Sequence, residues 1–161
     1  MMQPFEHAVT EHGPTVLRVV RAVLGPGPDA DDAWSETFLA ALRAWPDLPE
    51  DTNVQAWLVR VAHRKAIDVT RGTARRAVPT DLVPDRPSTT GLPESAEPDL
   101  WAAVGALPER QRLSLAYHYL GGLRHTETAE LIGGTPEAVR RAAADGIRAL
   151  RRTYAPEGAP R

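Results

Sequence analysis

Four arginines, Arg60, Arg64, Arg71 and Arg75, recur at spacings of four, seven and four residues. On a helix turning about 100° per residue that spacing confines them to about 60° of arc. A guanidinium stays charged at any physiological pH and grips phosphate through paired N–H bonds, so such a stripe suits a nucleic-acid backbone. Leu58, Val61, Ala62 and Val69 fall on the opposite side and would face a core. Trp57 is in phase with Arg64. Its indole could stack on an unpaired base or pack against the preceding helix, and the spacing leaves both open.

The segment before this helix has the opposite charge. Asp29, Asp31, Asp32 and Glu36 crowd the start of a second helical pattern, where carboxylates complement the positive end of the helix dipole. The same acids could dock on a basic protein groove, and the residues alone do not choose. Near the C-terminus, a short helix, a Gly133-Gly134 turn and a second helix with Arg140 and Arg141 early have helix-turn-helix spacing. An ordinary helical hairpin shares that outline. The histidines His7, His12, His63, His118 and His125 show no metal-ligand spacing, and no phosphate loop, nucleophile elbow or cysteine nucleophile is present. The expectation is a protein without catalytic activity, cofactor or metal.

These groups must be positioned by helices. Apolar residues make up 42% of the 161-residue chain and charged residues 25%, the balance of a globular protein. No apolar run approaches the ~20 residues of a membrane span and the N-terminus has no signal-peptide core, so no membrane partner is expected. Zero cysteines fit a reducing compartment, here the cytoplasm. The net charge of −2 conceals blocks: 3 basic against 9 acidic residues over 1–52, 6 against 1 over 53–78, 1 against 5 over 79–107, and 9 against 6 thereafter. Local footprints of each sign therefore matter more than the total.

Periodicity predicts a first helix that has Pro14 in its first turn and ends at Gly25-Pro26. A second spans about 29–45, with Trp34, Phe38, Leu42 and Trp45 on one face, and a third spans about 54–71. Residues 77–98 hold five prolines and no periodicity, which reads as a semi-extended tether between two domains. Beyond it, helices are expected near 100–107, 108–120, 125–132 and 136–154, with Thr135 as N-cap, Pro136 in the first turn and Glu137 beside it. The fold class is all-α, two small helical domains joined by a Pro-rich linker: domain 1–76, linker 77–98, domain 99–154 and tail 155–161.

Taken together the motifs resemble the extracytoplasmic-function (ECF, group 4) branch of the sigma-70 family, the dissociable promoter-recognition subunits of bacterial RNA polymerase. DADDAWSETFLAAL at 29–42 is similar to region 2.2 and AWLVRVAHRKAIDVTR at 56–71 to regions 2.3–2.4. LPERQRLSLAYHYLGGLRHTETAELIGGTPEAVRR at 107–141 is similar to region 4. The resemblance implies a sigma region 2-like bundle and a sigma region 4-like helix-turn-helix. It implies that Asp31, Asp32, Glu36, Thr37 and Phe38 meet the β′ clamp helices of core polymerase. It places Asn53, Gln55, Trp57, Arg60, His63, Arg64, Lys65 and Arg71 where the family captures and melts the −10 element. Thr135, Pro136, Glu137, Arg140 and Arg141 fall where it reads the −35 element, and the helices before them where it meets the β flap. Promoter DNA and core polymerase are thus the implied partners, with an anti-sigma factor as a further one.

Three positions depart from the family pattern. Arg64 stands where Asn is frequent. Arg124 stands where Ser or Thr usually caps a helix, an expected loss of about 1 kcal/mol. Ala142, Ala143, Ala144, Asp145 and Gly146 replace basic and bulky residues, with Asp145 repelling phosphate and Gly146 weakening the helix. The rival readings are a helix-turn-helix regulator acting without polymerase and a sigma-like protein-binding module.

Overall fold

A computed structural model describes residues 2–76 and 98–153, and the described residues form helices with no strand. The tether at 77–97 and the tail beyond 153 lie outside the described residues. Three long helices build the N-terminal unit: α1 (Phe5–Leu24), α2 (Pro28–Ala44) and α3 (Val54–Arg76). The C-terminal unit consists of α4 (Pro98–Gly105), α5 (Glu109–Ser114), α6 (His125–Ile132) and α7 (Pro136–Thr153). A π-helical turn, Leu115–Leu120, continues α5.

Helix α1 begins nine residues before Pro14, which lies inside it and not in its first turn. An internal proline removes one backbone hydrogen bond and costs ~3 kcal/mol. Tertiary packing outweighs that local cost: Ala8 and Val16 are fully buried on either side of it, and Gly13 between them gives its carbonyl to the Trp34 indole N–H at 2.9 Å. The broad apolar stripe of α1 serves two neighbours. Val16 and Val20 join Ala30, Ala33, Phe38, Ala41, Leu58 and Ala62 in the core of the N-terminal unit. Val19 and Ala22 face the C-terminal unit.

Alanines at 30, 33 and 41 let α2 lie close to its neighbours, and aromatic rings pack around the same core. Phe5 meets Trp45 edge-on at 5.4 Å, Trp34 lies 4.7 Å from Phe38, and Trp57 lies 6.5 Å from Trp45. Leu42, which the spacing puts on one face with Trp34 and Phe38, is 52% exposed. The buried side of α2 runs through Ala33, Thr37 and Ala41, so its true axis is turned away from the Trp34–Leu42 line. Helix α3 continues five residues past the expected end at 71.

In the C-terminal unit, Val139, Ala143 and Gly146 form the buried edge of α7. A β-carbon placed on Gly146 would sit 3.5 Å from Gln111 and Leu115, ordinary van der Waals contact. Gly146→Ala therefore fits without displacement and removes the helix penalty of glycine. Stability should rise by about 1 kcal/mol, read as a higher urea midpoint. An unchanged or lower midpoint would show that the α5–α7 contact does not tolerate the methyl group.

Candidate nucleic-acid interface

Asn53 starts α3 by accepting a hydrogen bond from the Ala56 N–H at Oδ1, 3.1 Å, which satisfies one of the free amides of the first turn. Leu58 and Ala62 then bury against α1 and α2, and this fixes the rotation of the helix. Arg64 and Arg71 consequently point to solvent. Trp57 is half-buried and packs on the N-terminal core, so its ring is anchored rather than freely presented. Lys65 is turned away from this group. It lines a cleft with Asp29, Asp32, Glu36 and Asp68, where its charge faces the acids of α2. Arg75 belongs to α3, but its side chain lies outside the described residues.

Three further members of the predicted set are engaged by the C-terminal unit. Gln55 donates from Nε2 to the Gly121 carbonyl at 3.1 Å, and Arg60 pairs with Glu127 at 3.0 Å. His63 Nδ1 lies 2.7 Å from the Tyr117 hydroxyl, with the rings edge to face. Tyr117 is buried, which raises its pKa and keeps it a donor. Val59 and Ala56 between them bury against Tyr117 and Leu123. The arginine spacing identified one face of α3. It gave no sign of this second contact, because the partners lie more than fifty residues away.

The ionisable groups of this contact define a pH window. Burial lowers the pKa of His63 below its ordinary 6.5; a backbone hydrogen bond at Leu131 opposes this and the neighbouring Arg64 adds to it. Glu127 is held below 4.5 chiefly by the Arg124 N–H, with burial opposing and the Arg124 and Arg60 charges assisting. The cleft beside His63 also holds Arg71, Glu109 and Arg112. A separated state would take up a His63 proton near pH 6.5, so the joined state loses stability as pH falls from there through the lowered value. Glu127 adds its loss only below 4.5. Tyr117, ordinarily 10.0, works in the other direction: its contribution is whole below pH 10 and fades as pH rises beyond it. Thermal midpoints should plateau between about pH 6.5 and 10, and His63→Gln should flatten the acid side.

On α2, Asp31, Asp32 and Glu36 are exposed, whereas Thr37 and Phe38 are buried. Thr37 hydrogen-bonds the Ala33 carbonyl at 2.6 Å and Phe38 sits among the aromatic rings, so both hold the helix in place. The large apolar side chains that this helix exposes are Leu39 and Leu42, 47% and 52% exposed. Those two leucines were missed as surface residues because an apolar side chain on an amphipathic pattern reads as core.

On α7, the Thr135 hydroxyl accepts from the Ala138 N–H at 3.1 Å, and Arg140 and Arg141 are exposed with Glu137. Asp145 is paired with Arg148, which partly offsets its repulsion of phosphate. The start of α6 is better held than Arg124 suggested. Glu127, three residues on, accepts from the Arg124 N–H at 2.9 Å, the reciprocal half of a capping box. His125 stacks on His118 at 3.8 Å; burial, His118 and Arg140, in that order, lower its pKa. Among the described residues no cluster of three or more metal-ligating side chains forms, and no helix is long and apolar enough to cross a membrane.

Residues 8–76 match Sigma-70 region 2, and residues 98–150 match Sigma-70, region 4. The ECF RNA polymerase sigma factor ShbA of Streptomyces griseus is 33% identical over 144 residues, covering 79% of this chain and 75% of that protein. SigD of Mycobacterium tuberculosis, also an ECF RNA polymerase sigma factor, is 34% identical over 139 residues, covering 79% of this chain and 66% of its own length. The fold is shared with the sigma factor RpoE of Bartonella quintana, solved with the anti-sigma factor NepR. Its TM-score is 0.71 at 15% identity, over 92% of this chain and 95% of that one. CnrH, solved with the cytosolic domain of CnrY, gives 0.61 at 24% identity over 92% and 85%. Two helical units matching regions 2 and 4 define the sigma-70 class. Within it, the chain belongs to the family of ECF RNA polymerase sigma factors.

Proposed function

We propose that this sigma factor docks core polymerase through the outer face of α2, opens the −10 element on α3 and reads the −35 element with the start of α7. It works in the cytoplasm and has no catalytic activity of its own. Asp31, Asp32 and Glu36, with Leu39 and Leu42, form the docking face against the β′ clamp helices; Thr37 and Phe38 hold that face in shape. Asn53, Gln55, Trp57, Arg60, His63, Arg64 and Arg71 serve the −10 element, with Arg64 and Arg71 as the phosphate contacts, while Lys65 faces the acids of α2. Thr135, Pro136, Glu137, Arg140 and Arg141 serve the −35 element, and the helices before α7 meet the β flap. The solved neighbours bound to NepR and CnrY support an anti-sigma partner here as well.

The observation that carries this reading is the presence of an exposed acidic face with leucines on α2 and exposed arginines on the adjoining α3, inside a region 2 match. Opposite charges on neighbouring helices suit two unlike partners. The test is transcription in vitro from fragmented bacterial genomic DNA, using core polymerase freed of sigma. Transcripts starting at a shared motif, seen only when the chain is added, are the expected result. DNA binding without core binding would instead favour a helix-turn-helix regulator, and core binding without transcripts a protein-binding module.

A further inference from the structure

Between α1 and α4 lies a cavity of about 660 Å³, a volume in the range of sites for small organic ligands. Most of its wall is apolar: Leu17 comes from α1, Trp34 from α2, and Leu100 and Trp101 from α4. The Trp34 indole N–H is engaged by the Gly13 carbonyl, so that ring offers the cavity only apolar surface. Two cations interrupt the lining. Arg18 and Arg21 are three residues apart on α1 and therefore project from the same side of it.

Arg21 is buried, at 7% exposure, where an arginine is normally paired. Among the described residues no carboxylate pairs with it, and its side chain makes no hydrogen bond. Its nitrogens are not among the polar atoms sealed from solvent, so they open onto the cavity that the residue lines. Arg18 is exposed and makes one long hydrogen bond, 3.4 Å to the Thr15 hydroxyl. Two guanidiniums beside an apolar wall with two indoles select a ligand by both of its ends. A carboxylate is gripped by paired N–H bonds, and an apolar body gains by leaving water.

We propose that this cavity is a binding site for an amphipathic organic carboxylate, whose head pairs with Arg21 and Arg18 and whose apolar body lies against Trp34 and Trp101. Inorganic phosphate would leave the apolar wall wet, and a plain hydrocarbon would leave Arg21 without a partner. None of the lining residues is among those assigned to the clamp, −10 or −35 contacts, so the site stands or falls independently of the promoter reading.

Decanoate and decan-1-ol are the probes, titrated calorimetrically into the full chain. Decanoate should saturate at one molecule per chain. The alcohol, with the same tail and no charge, should bind about tenfold or more weaker. Arg21→Met keeps an apolar stem and removes a charge that pairs with nothing, so the fold should hold while decanoate drops to the level of the alcohol. Arg18→Gln, at an exposed position that does not endanger folding, should weaken decanoate about threefold and leave decan-1-ol unchanged. Trp101→Ala should weaken both ligands. Decanoate that fails to saturate, binds in several copies per chain or binds no better than decan-1-ol would overturn the inference. So would decanoate binding that survives both arginine substitutions. A dimer in light scattering that decanoate fails to dissociate would give the cavity to a second copy of the chain, and would overturn it as well.

Discussion

Arg64→Glu combined with Arg71→Glu is expected to cut promoter-dependent transcript about a hundredfold while core binding stays near the parent value. Both side chains are exposed, and neither takes part in the polar contacts between the units. Their loss therefore leaves the contact between the units intact, whereas reversal of Arg60 would also break its pair with Glu127. Each reversal removes a cation that displaces counterions from a phosphate and substitutes a repulsion. On single-stranded DNA each lost contact flattens the plot of log affinity against log salt by about 0.7, so the pair should flatten it by about 1.4. That slope is the decisive readout, because a merely misfolded helix would lower affinity at all salt concentrations without changing it in this way. Arg64→Lys separates charge from geometry: it keeps the cation but loses the paired N–H fork, so a near-parent result would mean that Arg64 acts as a point charge. If the double variant transcribes normally, α3 does not hold the phosphates through this stripe.

How much of this was legible in the sequence depended on the distance between the interacting residues. Helices α2, α3, α6 and α7 follow from local periodicity and punctuation. Thr135, Pro136 and the glycine turns mark their ends in the chain as they do in the structure. Pro14 misled because its local cost is real, but tertiary burial on both sides of it exceeds that cost. The Arg124 position misled for a different reason. The first residue of the cap is poor, but Glu127 three residues later supplies the other half, and that signal was present in the sequence.

The hidden part was the second face of α3. Ala56 and Val59 read as ordinary apolar positions, and Gln55, Arg60 and His63 as free polar ones. Their partners, Gly121, Glu127 and Tyr117, lie on the far side of a proline-rich stretch whose sequence sets only how far they can reach. Charge blocks had a similar limit. Lys65 counts toward the basic stretch, yet the rotation of α3 fixed by Leu58 and Ala62 delivers it to the acids of α2. Periodicity assigns a residue to a face; only the neighbours of that face decide which partner it meets.

The second large effect is expected on α2, where Asp32→Lys with Glu36→Lys should weaken core binding by about two orders of magnitude. The two residues are four apart, on one exposed face. Both lie beyond the first turn, so little helix-dipole stabilisation is lost. Repulsion from Lys65 across the cleft costs about 1 kcal/mol or less per residue at these exposed sites, so the unfolding midpoint should fall only modestly while core affinity collapses. DNA binding by the free chain should not weaken, since the added charge is positive. The apolar part of the same face gives an independent check. Leu39 and Leu42 are about half exposed, so Leu39→Ala with Leu42→Ala leaves no buried cavity and should cost little stability. A docking contact that seals them from water would nevertheless lose about 1–2 kcal/mol for each, roughly a tenfold or greater loss of core affinity apiece. Lys variants that fail to bind while the alanine pair binds normally would mean the acids steer the encounter and the leucines stay wet. Loss in both would mean that α2 is buried against the polymerase along its whole outer face.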